Sequence, residues 1–178
     1  MFAAQNRRIG ATSEASKLFL LFSSGGTRYG LEAGEVAEVL ALRRLRPIAQ
    51  APAWVAGIFS HRGNLVPVLD LGALMASQPA ALRTSTRIVL VHYRCGGAAV
   101  AQLLGLIVEQ ASETLRCAPG EFRDYGLDNQ GAPYLGPVYQ GPQGLVQWVR
   151  VQDLLSAEAQ ALLFPLAPGL TGAQGQST

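Results

Sequence analysis

The stretch Val55-Ala56-Gly57-Ile58-Phe59-Ser60-His61-Arg62-Gly63-Asn64-Leu65-Val66-Pro67-Val68-Leu69-Asp70-Leu71 decides how the rest of the chain is read. Two short apolar runs, 55–59 and 65–69, flank the polar segment His-Arg-Gly-Asn, so they read as strands joined by a tight turn. Gly57 inside the first run marks a place where another backbone comes close. Pro67 cannot donate a ladder hydrogen bond, which puts part of the second strand at a sheet edge. Asp70 stands where an N-cap would start a short helix from Leu71 to Met75.

The same pattern returns downstream. Leu135-Gly136-Pro137-Val138-Tyr139 through Leu145-Val146-Gln147-Trp148-Val149 repeats it. Matching Gly57 to Gly136 gives an offset of 79 and matching Leu65 to Leu145 gives 80, which implies one extra residue in the second turn. Asp153 heads Leu154-Leu155 as Asp70 heads Leu71, and Gly96-Gly97 answers Gly25-Gly26. Several echoes in one order imply two related small barrels in tandem, divided near residues 80 and 81.

Further upstream, Leu18-Phe19-Leu20-Leu21-Phe22 stops at the glycines of Ser23-Ser24-Gly25-Gly26-Thr27, and Tyr29-Gly30-Leu31 resumes, a hairpin signal. Val36, Val39 and Leu40, with Glu35 just before them and Glu38 between, fit either one helical turn leading into a strand or a bulged strand, and spacing leaves both open. Pro47 and Pro52 bracket an extended connector. A linker from Ser77 to Ser85 precedes the strand Arg87-Ile88-Val89-Leu90-Val91, and Leu103 to Val108 reads as a buried strand pair. Residues 1–16 read as a disordered flank, and residues 158–178 as a short helix end with a disordered tail.

Of 178 residues, 49% are hydrophobic and 15% charged, enough apolar material for a packed core. A net charge of +2 from 14 basic and 12 acidic residues spread along the chain argues against nucleic acid. The tightest basic cluster, Arg43, Arg44 and Arg46, fits phosphate contacts, a solvated loop or an acidic protein partner. Cys95 and Cys117 lack CxxC spacing and His61 and His92 stand alone, so no metal or cofactor site is expected. No apolar run approaches the roughly 18 residues that span a bilayer, and the expected location is the cytoplasm. No phosphate loop, nucleophile elbow or metal motif suggests an enzyme. A small nucleic-acid-binding barrel is the alternative, but it calls for a basic groove with interleaved aromatics, and aromatics are only 7% here.

The segment from Val55 to Leu71 closely resembles the signature of the CheW-like chemotaxis coupling family, roughly V-x-G-h-h-N-L-R-G-x-h-h-P-h-h-D-L with h apolar. The resemblance extends to Tyr29-Gly30-Leu31, Val36-Ala37-Glu38-Val39-Leu40, Thr86 to Val91 and Glu113-Thr114-Leu115, and covers about residues 17 to 157. It implies an all-β fold of two SH3-like five-stranded β-barrels packed with a groove between them, plus short helices. It also implies a non-catalytic adaptor, held at the inner face of the membrane by its partners. Those partners are a methyl-accepting chemotaxis-type receptor and the regulatory domain of a CheA-type histidine kinase, with self-association in arrays left open. Ser60-His61 replaces the family's Asn-Leu, and the Arg94 to Ala99 loop and the turn from Tyr139 to Gly144 also depart from the pattern. These departures bear on which partner is bound.

By the same resemblance Arg62 is the receptor-contacting arginine. Its turn position should project a guanidinium whose rigid fork clasps carboxylates or helix-terminal carbonyls. Glu38 and Val36 are expected beside it as an acidic handle and an apolar contact, with His61 replacing an apolar turn residue at the binding face. Gly57 and Gly63 are expected to support the turn. Trp54 and Trp148 are expected to fill the two barrels, with a partner anchor as the other reading of each.

Overall fold

The computed structural model describes residues 15–126 and 129–165. The flanks expected at 1–16 and in the tail lie, at 1–14 and 166–178, outside the described residues. The strands are β1 Lys17–Ser24, β2 Thr27–Glu32, β3 Val36–Ala41, β4 Val55–His61, β5 Asn64–Asp70, β6 Arg87–Tyr93, β7 Gln102–Cys117, β8 Phe122–Arg123, β9 Leu135–Gly141 and β10 Gly144–Val149. Two short helices, α1 Leu71–Ala76 and α2 Ala157–Leu163, follow β5 and β10.

The strands form two barrels. The first runs β3-β6-β7-β5-β4, antiparallel except where β5 lies parallel to β7. It closes where Arg46 and Ile58 exchange backbone hydrogen bonds, both 2.8 Å. The second runs β7-β1-β2-β10-β9-β8, with β2 parallel to β10. It closes at the matching place, where Arg123 of β8 pairs Val138 of β9.

These pairings cut across a division at residues 80 and 81, because the N-terminal hairpin β1-β2 completes the second barrel. Strand β7 serves both barrels. Its first half pairs β6 as far as Arg87↔Val108 and its second half pairs β1 from Glu109 to Cys117. At the changeover Gln110 takes φ 52 and the register with β1 slips. A side chain in the left-handed region is costly, and here it re-aims a strand between two sheets. Leu103 to Val108 is therefore part of one strand rather than a strand pair.

The repeat is more regular than the glycines suggest. Val55↔Leu69, Ile58↔Pro67 and His61↔Asn64 recur as Leu135↔Val149, Val138↔Gln147 and Gly141↔Gly144, a constant offset of 80. Both turns thus hold two residues, and no extra residue sits in the second. At that offset Gly57 corresponds to Pro137, not Gly136, and Asp70 to Arg150 rather than Asp153. The difference is chemical. Asp70 accepts from Ala73 N at 3.1 Å and starts α1, whereas Arg150 offers no acceptor and heads only a single 3-10 turn, Val151–Asp153.

Strand alternation sorts the core into three layers. Ile88 and Leu90 of β6 point with Phe59, Val66 and Val68 into the first barrel, while Val89, Val91 and Tyr93 point the other way. Phe19, Leu21, Phe122 and Val146 fill the second barrel. Between the barrels lies the largest cluster, including Phe22, Leu31, Leu69, Leu106, Val149 and Leu163, so the two barrels share a continuous apolar layer. Trp148 packs in the second barrel, edge-on to Phe19 at 5.1 Å. Trp54 instead lies against the shared layer.

Candidate functional site

The turn between β4 and β5 consists of Arg62 and Gly63, with φ 50 and 81. Positive φ at both central residues is what a two-residue hairpin turn needs to match strand twist, and Gly63 meets it without a Cβ. Arg62 meets it at a steric cost that Asn or Gly would largely avoid. Its side chain is 77% exposed, yet Arg62 Nη2 lies 3.2 Å from Glu38 Oε2. His61 Nε2 lies 3.2 Å from the same oxygen.

Glu38 reaches this turn because of a bulge in β3. Val36 pairs Val91 and Glu38 pairs Leu90, so the strand slips by one residue between them. Leu90 points into the first barrel and Val91 into the shared layer, and their partners follow. Glu38 is carried to the mouth of the first barrel, and half-buried Val36 packs against the shared layer. Val36, Val39 and Leu40 all lie in β3, so of the two readings left open by their spacing the bulged strand is the one present, and the 3-10 turn Ala33–Glu35 precedes them.

The structure therefore brings Glu38, His61 and Arg62 together and leaves Val36 apart. His61 is buried at 8% exposure, edge-on to Phe59 with ring centroids 6.0 Å apart, and is not displayed on an open face. A buried imidazole and an exposed guanidinium share one carboxylate oxygen, which orients the guanidinium through Nη2 and leaves most of its donors free. Such a cluster can clasp carboxylates or carbonyls of a partner.

Gly57 shows the close backbone approach expected of it. A Cβ there would lie 2.5 Å from Arg46 O, at the seam that closes the barrel. Among the described residues no group of three His, Cys, Asp or Glu is placed to hold a metal ion, and no helix is long and apolar enough to cross a membrane. The link from Glu38 to His61 was not read from the sequence, since 22 intervening residues separate them and only barrel closure brings β3 over β4.

The description "CheW-like domain" matches residues 18–159. The chain is 24% identical to the chemotaxis protein CheW of Klebsiella aerogenes over 82% of this chain and 85% of that protein. It is 32% identical to the protein FrzA of Myxococcus xanthus over 48% of this chain and 53% of that protein. It is also 32% identical to the protein PilI of Pseudomonas aeruginosa, over 40% of each. In fold it is similar to the crystal structure of the scaffolding protein TtCheW from Thermoanaerobacter tengcongensis, with a TM-score of 0.67 and 19% identity over 88% of this chain and 94% of that one. With its matched segment spanning both barrels and the Arg62 turn, the chain belongs to the CheW-like family.

Proposed function

We propose that this chain is a non-catalytic cytoplasmic adaptor that couples a transmembrane chemosensory receptor of the methyl-accepting type to a CheA-type histidine kinase. Arg62 is the receptor contact, Glu38 and His61 set its position, and Gly57 and Gly63 support the turn. The observation that carries this reading is the Arg62 guanidinium, 77% exposed on a left-handed backbone and oriented by Glu38 through Nη2. A costly backbone at an exposed cation is accounted for by what that cation binds. Family membership supports the same reading.

Calorimetric titration with a receptor cytoplasmic hairpin and with the kinase regulatory domain tests it. Arg62→Ala should weaken receptor binding by about 1.5–3 kcal/mol, the range of charge-assisted hydrogen bonds, and Arg62→Lys should rescue it in part. Kinase binding should be spared. Loss of neither affinity would remove Arg62 from the site, and equal loss of both would point to general damage.

A further inference from the structure

At the seam that closes the first barrel, the connector after β3 folds over β4 and leaves a hollow of about 750 Å³. It is lined by Arg43, Arg44, Leu45 and Arg46, with half-buried Ile58 and the edge of the buried Phe59 beneath them. The Arg43 guanidinium carbon stands 5.7 Å from the centre of the Phe59 ring. Among the described residues no carboxylate pairs with Arg43, Arg44 or Arg46. Only the backbone of Arg46 takes part in closure.

The second barrel supplies an internal control. Its seam leaves a smaller hollow of about 500 Å³, with Tyr139 where the first barrel has Phe59. Counting back from the matching pairs Arg46–Ile58 and Arg123–Val138, Arg43 and Arg44 correspond to Gly120 and Glu121. Glu121 accepts from Ala118 N at 2.6 Å. The fold thus closes the same seam without a run of arginines. Three uncompensated cations around an apolar floor repel one another, and that cost is recovered by an anionic ligand with an apolar part.

We infer that this hollow is a docking site for an acidic segment of a protein partner, distinct from the Arg62 site. The partner's carboxylates pair with Arg43, Arg44 and Arg46, and an apolar side chain covers half-buried Ile58. A nucleic acid fits less well, because the floor offers a single aromatic ring already faced by a guanidinium, with no further ring for successive bases to stack on.

Fluorescence anisotropy with a labelled peptide of glutamates flanking one leucine, against the full-length protein at low salt, tests this. The peptide should bind, its glutamine counterpart should not, and affinity should fall as salt rises. The double variant Arg43→Gln, Arg44→Gln should bind about tenfold more weakly, the loss expected for charge-assisted hydrogen bonds. Arg116→Gln with Arg123→Gln removes the same charge from the second barrel and should leave binding unchanged. Thermal melts confirm that both variants fold. The inference is overturned by absent peptide binding, by equal binding of the glutamine peptide, by equal losses in the two double variants, or by single-stranded DNA that binds more tightly and displaces the peptide.

Discussion

Glu38 of β3 and Arg62 of the β4-β5 turn meet at 3.2 Å, joining two strands that share no ladder. Because Arg62 is exposed, the pair itself adds little to stability, and Glu38→Gln should change the unfolding free energy by less than about 1 kcal/mol. Its effect on receptor binding should lie between wild type and Arg62→Ala, since the guanidinium remains but loses its orientation. Denaturant unfolding and calorimetric titration of the three proteins check this. A Glu38→Gln loss as large as that of Arg62→Ala would make Glu38 a contact in its own right.

Gly57→Ala should destabilise by about 1–3 kcal/mol, because the new Cβ meets backbone and cannot be relieved by a side-chain rotation. Its φ of 141 adds strain for any L side chain. Gly136→Ala should cost less, since the nearest atom, Trp148 O, is 3.1 Å away and no positive φ is recorded there. Chemical denaturation of both variants checks the order, and the reverse order would place the tighter seam in the second barrel.

The hairpins were legible because their signals are local. Turn glycines, Asp70 before an apolar run and the close approach at Gly57 follow from residues a few positions apart. The meeting of Glu38 and Arg62 was legible only through the resemblance. The division into barrels was misread because repeated sequence marks which segments are alike, not which ones pair, and β1-β2 completes a barrel whose other strands lie far downstream. Glycines mark the repeat's alignment wrongly, because backbone register makes Pro137 the equivalent of Gly57. Trp54 misled in the same way, since an aromatic residue reports burial without saying in which of three layers.

Glu35, in the 3-10 turn before β3, should make stability depend on pH. Burial pushes its carboxyl above the usual 4.5, against the hydrogen bond from Gln152 and the more distant charges of Lys17 and Arg94, while Glu32 adds to the rise. A raised folded-state value means that stability is fully present below about 4.5 and is lost as pH rises through the folded value. Glu35→Gln keeps an acceptor for Gln152 Nε2, which lies 3.2 Å from Glu35 Oε1, and removes the charge. The variant should therefore melt higher than wild type at pH 7, with the gap closing in acid below the usual carboxylate value. A gap of the same size in acid would show that the charge is not its cause.

Tyr93 ends β6 fully buried in the layer between the barrels, stacked on Phe164 with ring centroids 5.6 Å apart and an interplanar angle of 11°. Its hydroxyl has no hydrogen-bond partner among the described residues. A buried donor left unmade costs the full desolvation of the group, so an apolar residue of the same shape should serve better. Tyr93→Phe keeps the ring and should be neutral or stabilising by up to about 1 kcal/mol near neutral pH. Burial also pushes the Tyr93 phenol up to about 12, so the unfolded chain ionises near 10 while the folded chain holds its proton. Wild-type stability must then fall as pH rises from 10 toward 12, and the advantage of Tyr93→Phe should widen over that interval. Tyr134 is the comparison, because it is buried in the same layer but its hydroxyl donates to Leu74 O, at a long 3.5 Å. Tyr134→Phe forfeits that bond and should gain less at neutral pH. Denaturant unfolding of both variants at pH 7 and again above pH 10 decides the matter. A Tyr93→Phe protein clearly less stable than wild type at pH 7 would mean that the hydroxyl has a partner in solution, such as a buried water.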